Sequence, residues 1–235
     1  MDTVKKLLQA VRERIDNAAL LAHRQPGEIA LLAVSKTILA PRIRDLAVLG
    51  QRNFGENYVQ EALDKMPHLQ DLPLVWHFIG PIQRNKTALI AKNFDWVHSV
   101  HRLVIAQRLS AARTEQQGKL NVCIQVNISQ EPKKNGVAPS DLAQLVADIL
   151  PLPNLHLRGL MAIPRATHDT GEQHAQFAAL RLCLQTLNDH QLDTLSMGMS
   201  ADLETAIAEG ATIIRVGSAL FGARTGTQQA QCNVT

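Results

Sequence analysis

Lys36 follows a run of apolar residues, Ile29-Ala30-Leu31-Leu32-Ala33-Val34, and the single hydroxyl of Ser35. An ammonium at the end of such a run is partly desolvated. Desolvation lowers an amine's pKa and makes a neutral nucleophile available to a carbonyl carbon. The position equally suits a strand-end lysine that simply reaches solvent. Far along the chain, Ser200 and the pair Gly217-Ser218 offer a different chemistry. A glycine lets backbone N–H groups approach an anion closely, and two hydroxyls add donors. Ser200, just ahead of Asp202, also has the position of a helix N-cap; the roles are compatible, because a helix N-terminus favours anions. An amine in one place and an anion cradle in another suit a ligand with an aldehyde at one end and a phosphate at the other. Arg215 interrupts the apolar run Ile213-Ile214-Arg215-Val216. A buried arginine needs a partner, either an acid such as Glu56 across the fold or the ring of a ligand. His77 reads first as a satisfied core histidine, with a catalytic role as the alternative.

These residues need a scaffold that gathers them. Eight strand-like segments stand out, at 29–34, 52–54, 76–79, 96–99, 122–126, 156–160, 194–196 and 213–216. The second and seventh are short. The continuous apolar runs are those of strands buried on both faces. Helix-like stretches lie at 2–23, where Val4, Leu7, Leu8, Val11, Ile15, Ala18 and Ala22 keep helical spacing, and near 41–49, 57–69, 84–92, 101–116, 140–150, 171–189 and 202–209. Pro139 suits a helix start, and Gly50 and Gly210 suit helix ends. Eight strands alternating with helices predict a single (β/α)8 TIM barrel. That fold gathers function at the C-terminal ends of its strands and often binds phosphate in the loops after strands seven and eight, where Ser200, Gly217 and Ser218 fall. The barrel is expected to span 1–224, with a disordered Gln- and Thr-rich tail at 225–235.

Composition narrows the partners. The chain has 235 residues, 46% of them hydrophobic but only 3% aromatic, so the core must be aliphatic, as suits a helix-covered parallel sheet. A formal net charge of +3, without a basic block, makes nucleic acid a poor partner. No apolar run approaches the length of a membrane span, and the N-terminus does not read as a signal peptide. The three cysteines, Cys123, Cys183 and Cys232, have neither metal-ligand nor disulfide spacing. A cytoplasmic location without membrane association is expected, and no metal.

Six motifs carry a family resemblance. They are Ala33-Val34-Ser35-Lys36-Thr37, Phe54-Gly55-Glu56-Asn57-Tyr58-Val59-Gln60-Glu61, the stretch from His77 to Lys86, Gly159-Leu160-Met161-Ala162-Ile163-Pro164, Leu195-Ser196-Met197-Gly198-Met199-Ser200, and the stretch from Arg215 to Gly222. Their order and spacing resemble the pyridoxal 5′-phosphate (PLP) homeostasis family, also called YggS or proline synthase co-transcribed protein, over roughly residues 4–224. The resemblance implies a fold-type III barrel like the N-terminal domain of alanine racemase, with PLP as cofactor and an internal aldimine on Lys36. It implies that Ser200, Gly217 and Ser218 hold the phosphate, that Arg215 faces the pyridine nitrogen, and that Asn57, His77 and Met161 line the ring pocket. Relatives often have threonine where this chain has Ser218, which keeps the hydroxyl. The loop 131–136 keeps Lys134 two residues before glycine but differs around it.

Three functions compete: a PLP-binding homeostasis protein without turnover, a fold-type III racemase or decarboxylase, and a cofactor-free Schiff-base aldolase. Racemisation needs an acid/base on each face of a carbanion. In the resembling racemases the second base is a tyrosine of a further C-terminal domain, which this chain is expected to lack, and Tyr58 is its only tyrosine. An arginine at the ring nitrogen also weakens the electron sink. The aldolase leaves the six motifs unexplained. The expectation is a PLP carrier, acting as a monomer, with PLP-dependent apo-enzymes as recipients; Lys134 reads first as a solvated loop lysine, with transient acceptance of the aldehyde as the alternative.

Overall fold

In the computed structural model, residues 2–132, 134–187 and 192–222 are described. The opening helix α1 (Asp2–Leu21) is followed by β1 (Ala30–Val34), α2 (Ala40–Val48), β2 (Asn53–Glu56), α3 (Val59–Lys65), β3 (Val75–Phe78), α4 (Thr87–Asn93) and β4 (Trp96–Val100). Then come α5 (Leu103–Ala112), β5 (Leu120–Gln125), α6 (Leu142–Ile149), β6 (Leu155–Met161), α7 (Thr170–Gln185), β7 (Thr194–Ser196), α8 (Leu203–Ala208), β8 (Ile213–Val216) and the short α9 (Ser218–Phe221). The eight strands close into one barrel in sequence order, β8 pairing back onto β1, and every pairing is parallel. This is the expected TIM barrel. The expected tail at 225–235 lies outside the described residues.

The periodicity of α1 has a direct structural cause. Val4, Leu8, Val11, Ile15, Ala18 and Ala19 are all buried and form one stripe, with which α1 packs across α8 and α9. Each large side chain removed from water there contributes about 1.5–3 kcal/mol as an upper estimate. Glycine solves one steric problem in the wall. A Cβ on Gly159 of β6 would lie 1.9 Å from the Thr194 carbonyl oxygen, so only glycine lets β7 pair closely there.

The boundaries differ from expectation in places that matter for the site. β2 runs on through Gly55 and Glu56, two residues beyond the segment 52–54 that the sequence marks. The expected helices at 57–69, 84–92, 101–116 and 140–150 each break into an α-helix and a short 3₁₀ turn. The helix α9, unforeseen, starts at Ser218, immediately after β8.

Candidate cofactor site

Lys36 lies in the turn that leaves β1, closed by the Ile38 N–H on the Ser35 carbonyl at 3.0 Å. The next residue, Thr37, has φ +64°. A β-branched residue in the left-handed region costs on the order of 1–3 kcal/mol, so the surroundings must hold it there. The register carries the neighbouring strand ends to the same rim. Val34 is level with Gly55, and Gly55 with His77, so Lys36 and Asn57 each stand two residues further toward the mouth than His77 does. On the other side Ala33 pairs with Val216. Gly217 therefore sits beside Val34, and a Cβ built on it would meet the Val34 Cβ at 3.5 Å. Ser218 follows as the first residue of α9, whose opening N–H groups have no carbonyl within the helix.

Ser200 leaves the rim after β7. It is not a helix cap: α8 begins at Leu203 with Asp202 in the cap position, and the Ser200 carbonyl accepts from Arg14 Nη2 at 3.0 Å. Met161 ends β6 and is fully buried. Gly80 holds the rim closed beside Asn57, because a Cβ there would fall 2.1 Å from the Asn57 carbonyl oxygen.

Arg215 is buried, and it is not paired with Glu56, one of the two partners that the sequence allows. Its Nη1 donates to the Ser196 carbonyl (2.6 Å) and Ser196 Oγ (2.9 Å), and its Nη2 to the Ala162 carbonyl (2.9 Å). Glu56 instead belongs to Lys65 and Ser35. Burial lowers the guanidinium pKa to about 10, opposed by the charge of Asp202, so Arg215 remains a cation at neutral pH. His77 is not at the mouth. Its Nδ1 meets His98 Nε2 at 2.9 Å and its Nε2 meets Asn53 Oδ1 at 3.1 Å, while its ring stacks on Trp96. This is the satisfied core histidine that the sequence allows, one layer below the rim.

A cluster that sequence reading passed over lies behind Lys36. Lys65, only 7% exposed, donates to the Ser35 carbonyl (2.9 Å), Glu56 Oε1 (2.8 Å) and Glu61 Oε1 (2.6 Å). Burial raises the Glu56 carboxyl above its ordinary range, against the lowering effect of Lys65 and the Ser35 hydroxyl. Thr37 Oγ1, Asn57 Oδ1, Glu56 Oε2 and Glu61 Oε2 are buried without a hydrogen-bond partner. Unmet polar atoms are rare in a native interior. Their concentration around Lys36 fits a polar ligand at this end of the barrel. Among the described residues no group of acids, histidines and cysteines could hold a metal, and Cys123 is buried with its thiol pushed up to about 12.

Comparison with known proteins follows this geometry. The family model described as "Alanine racemase, N-terminal domain" matches residues 8–225. A protein of Pseudomonas aeruginosa named pyridoxal phosphate homeostasis protein is 58% identical over 224 residues, covering 95% of this chain and 97% of that one. The chain belongs to the pyridoxal phosphate homeostasis protein family. Its Escherichia coli K12 family member is 48% identical over 230 residues, covering 95% of this chain and 98% of the other. Among solved structures, PipY of Synechococcus elongatus with PLP bound is 40% identical with a TM-score of 0.80, covering 90% of this chain and all of that one (100%). The alanine racemase of Clostridium difficile, at 16% identity and a TM-score of 0.72, shares the fold over 97% of this chain and 58% of its own length. Homeostasis-family sequence and racemase-like architecture thus coincide in one barrel.

Proposed function

We propose that this protein binds PLP at the C-terminal mouth of its barrel, carries it as a Schiff base on Lys36, and serves PLP homeostasis without catalytic turnover. The observation that supports it best is the rim itself. An amine just after β1 shares one continuous arc with the hydroxyl and N–H groups after β7 and β8, and Thr37 Oγ1 and Asn57 Oδ1 beside it are buried without a hydrogen bond. When bound, PLP supplies an aldehyde that condenses with an amine and a phosphate dianion that needs donors.

In this reading the Lys36 amine is the covalent anchor. Ser200, Gly217 and Ser218 hold the phosphate, Arg215 presents its cation toward the ring nitrogen, and Asn57 and Met161 bound the ring. His77 supports this set from beneath. A cation beside the ring nitrogen disfavours its protonation, which keeps the ring a poor electron sink. Tyr58, 55% exposed at the start of α3, gives no support to the racemase reading. No helix among the described residues is long and apolar enough to cross a membrane.

The experiment is a binding comparison. PLP added to the purified protein is expected to turn it yellow, and borohydride is expected to fix a phosphopyridoxyl group on Lys36. Pyridoxal, lacking the phosphate, is expected to bind at least about 100-fold more weakly, because two or more charge-assisted hydrogen bonds are lost. Equal affinity for the two compounds would remove the phosphate site from Ser200, Gly217 and Ser218.

PLP-dependent apo-enzymes are the natural recipients of such a carrier. Lys134 leans over the loop after β6, its Nζ donating to the Pro164 carbonyl at 3.2 Å and pairing with Glu131 at 2.7 Å. In this reading it takes the aldehyde transiently as PLP leaves. Lys134→Ala is expected to slow transfer to an apo-enzyme several-fold while the bound spectrum stays intact. Unchanged transfer kinetics would make Lys134 an ordinary loop lysine.

A further inference from the structure

We infer that Glu61 and Lys65, one turn apart on α3, are positioning residues that clamp the two peptide groups on either side of Lys36. The peptide before Lys36 offers its carbonyl, that of Ser35, and Lys65 Nζ donates to it at 2.9 Å. The peptide after Lys36 offers its N–H, that of Thr37, and Glu61 Oε1 accepts it at 2.5 Å. The same Glu61 oxygen accepts from Lys65 Nζ at 2.6 Å, so clamp and counter-clamp are tied together by an i,i+4 ion pair. Glu56, fully buried, anchors the assembly to β2: its Oε1 accepts from Lys65 Nζ at 2.8 Å and from Ser35 Oγ at 2.6 Å. All three ammonium protons of Lys65 are thereby engaged.

The clamp matches a local conformational need. Thr37 sits at φ +64° with a β-branched side chain, a conformation that it would leave if nothing held its N–H. Relaxation there would re-aim the Cα–Cβ bond of the residue before it. Lys36 must present its Nζ to the aldehyde carbon along one approach, forming the C=N bond and releasing the carbonyl oxygen as water. Orientation of this kind governs the rate at which bound reactants combine. Through these two hydrogen bonds the Glu61–Lys65 pair acts on the backbone on either side of Lys36, so its effect passes through Lys36.

This inference rests on Lys36 being the anchor, and the test separates the two. Glu61→Ala leaves Lys65 paired with Glu56, a neutral buried pair, and is expected to fold. Glu61→Met, which fills the same volume and cannot accept the Thr37 N–H, gives the same comparison should the alanine variant not fold. The rate at which the yellow absorbance forms with PLP is expected to fall about 10- to 100-fold in either variant. Affinity for pyridoxine 5′-phosphate, which keeps ring and phosphate but has no aldehyde, is expected to stay within about twofold, a free-energy change near RT. Glu61→Gln keeps a carbonyl acceptor at the Thr37 N–H and is expected to restore most of the rate. An unchanged rate in Glu61→Ala, with wild-type Lys36 labelled by borohydride, would overturn the clamp and leave the anchor standing. A parallel loss of pyridoxine 5′-phosphate affinity would also overturn it, by showing a general collapse of the pocket. An unlabelled Lys36 in the wild-type protein would overturn the anchor and the clamp together.

Discussion

Lys36→Ala is expected to abolish both the yellow colour of the PLP-loaded protein and its labelling by borohydride. The residue ends β1 at the rim, where a strand buried on its way up the barrel delivers an amine to the mouth. Lys65 and Lys134 make other contacts. Lys65 spends its protons on Ser35, Glu56 and Glu61, and Lys134 is paired with Glu131. Without Lys36 the phosphate donors after β7 and β8 remain, so PLP is expected to bind still, but about 100-fold or more weakly, a loss of roughly 2.7 kcal/mol. Absorbance spectra and peptide mass mapping after reduction check this. A Lys36→Ala protein that kept its colour, with the label found on Lys65 or Lys134, would move the anchor.

The architecture was largely legible because a parallel barrel writes itself into sequence as short aliphatic runs between amphipathic helices. Ile29 to Val34 and Ile213 to Val216 read as doubly buried strands, and they pair with each other to close the ring. What was not legible lies where polarity enters the interior. Gly55 and Glu56 fall beyond the segment that marks the second strand, yet they are strand residues, because Glu56 is neutralised by a lysine nine positions later. Residue type does not single out Lys65, since a lysine on a helix ordinarily faces solvent. The signal was present in the spacing, since Val59, Ala62 and Lys65 fall on one buried face of α3. A lysine on that face demands an acid in the core, and Glu56, closing a strand, was the available one. Arg215 could not be assigned a partner in the same way. Its acceptors are a hydroxyl and two carbonyls from β7 and the end of β6, and carbonyls leave no mark in side-chain chemistry. His77 reads alike in sequence whether it faces a ligand or the core. Only the strand register, with Gly55 level with it and Asn57 above, decides.

The same interior predicts a marked sensitivity to acid. Arg215, Ser196, His98, His77 and Asn53 form one buried chain of hydrogen bonds across the barrel. Arginine can only donate at one end, and the Asn53 Oδ1 only accepts at the other. His77 therefore donates through Nε2 and accepts at Nδ1 from His98 Nε2–H, while His98 Nδ1 accepts from the Ser196 hydroxyl. Each ring already uses both nitrogens as a neutral imidazole, and an added proton would set donor against donor. Burial holds His77 at a pKa of about 3, and burial, with the nearby His77 and the Arg215 charge, holds His98 well below its usual value. A histidine depressed in the folded state takes up its proton on unfolding, so stability is lost as pH falls below the unfolded value of about 6.5 and toward the folded one. Between pH 7 and pH 5 His77 alone is expected to contribute a loss of about 2 kcal/mol, and His98 adds to it in the same direction. Urea unfolding at the two pH values measures it. His77→Gln and His98→Gln are each expected to lower stability at pH 7, through the broken chain, yet to flatten its pH dependence, His77→Gln by about 2 kcal/mol over that interval. A variant as steeply acid-sensitive as the wild type would show that carboxylates elsewhere carry the effect and that the histidine chain is indifferent to protonation.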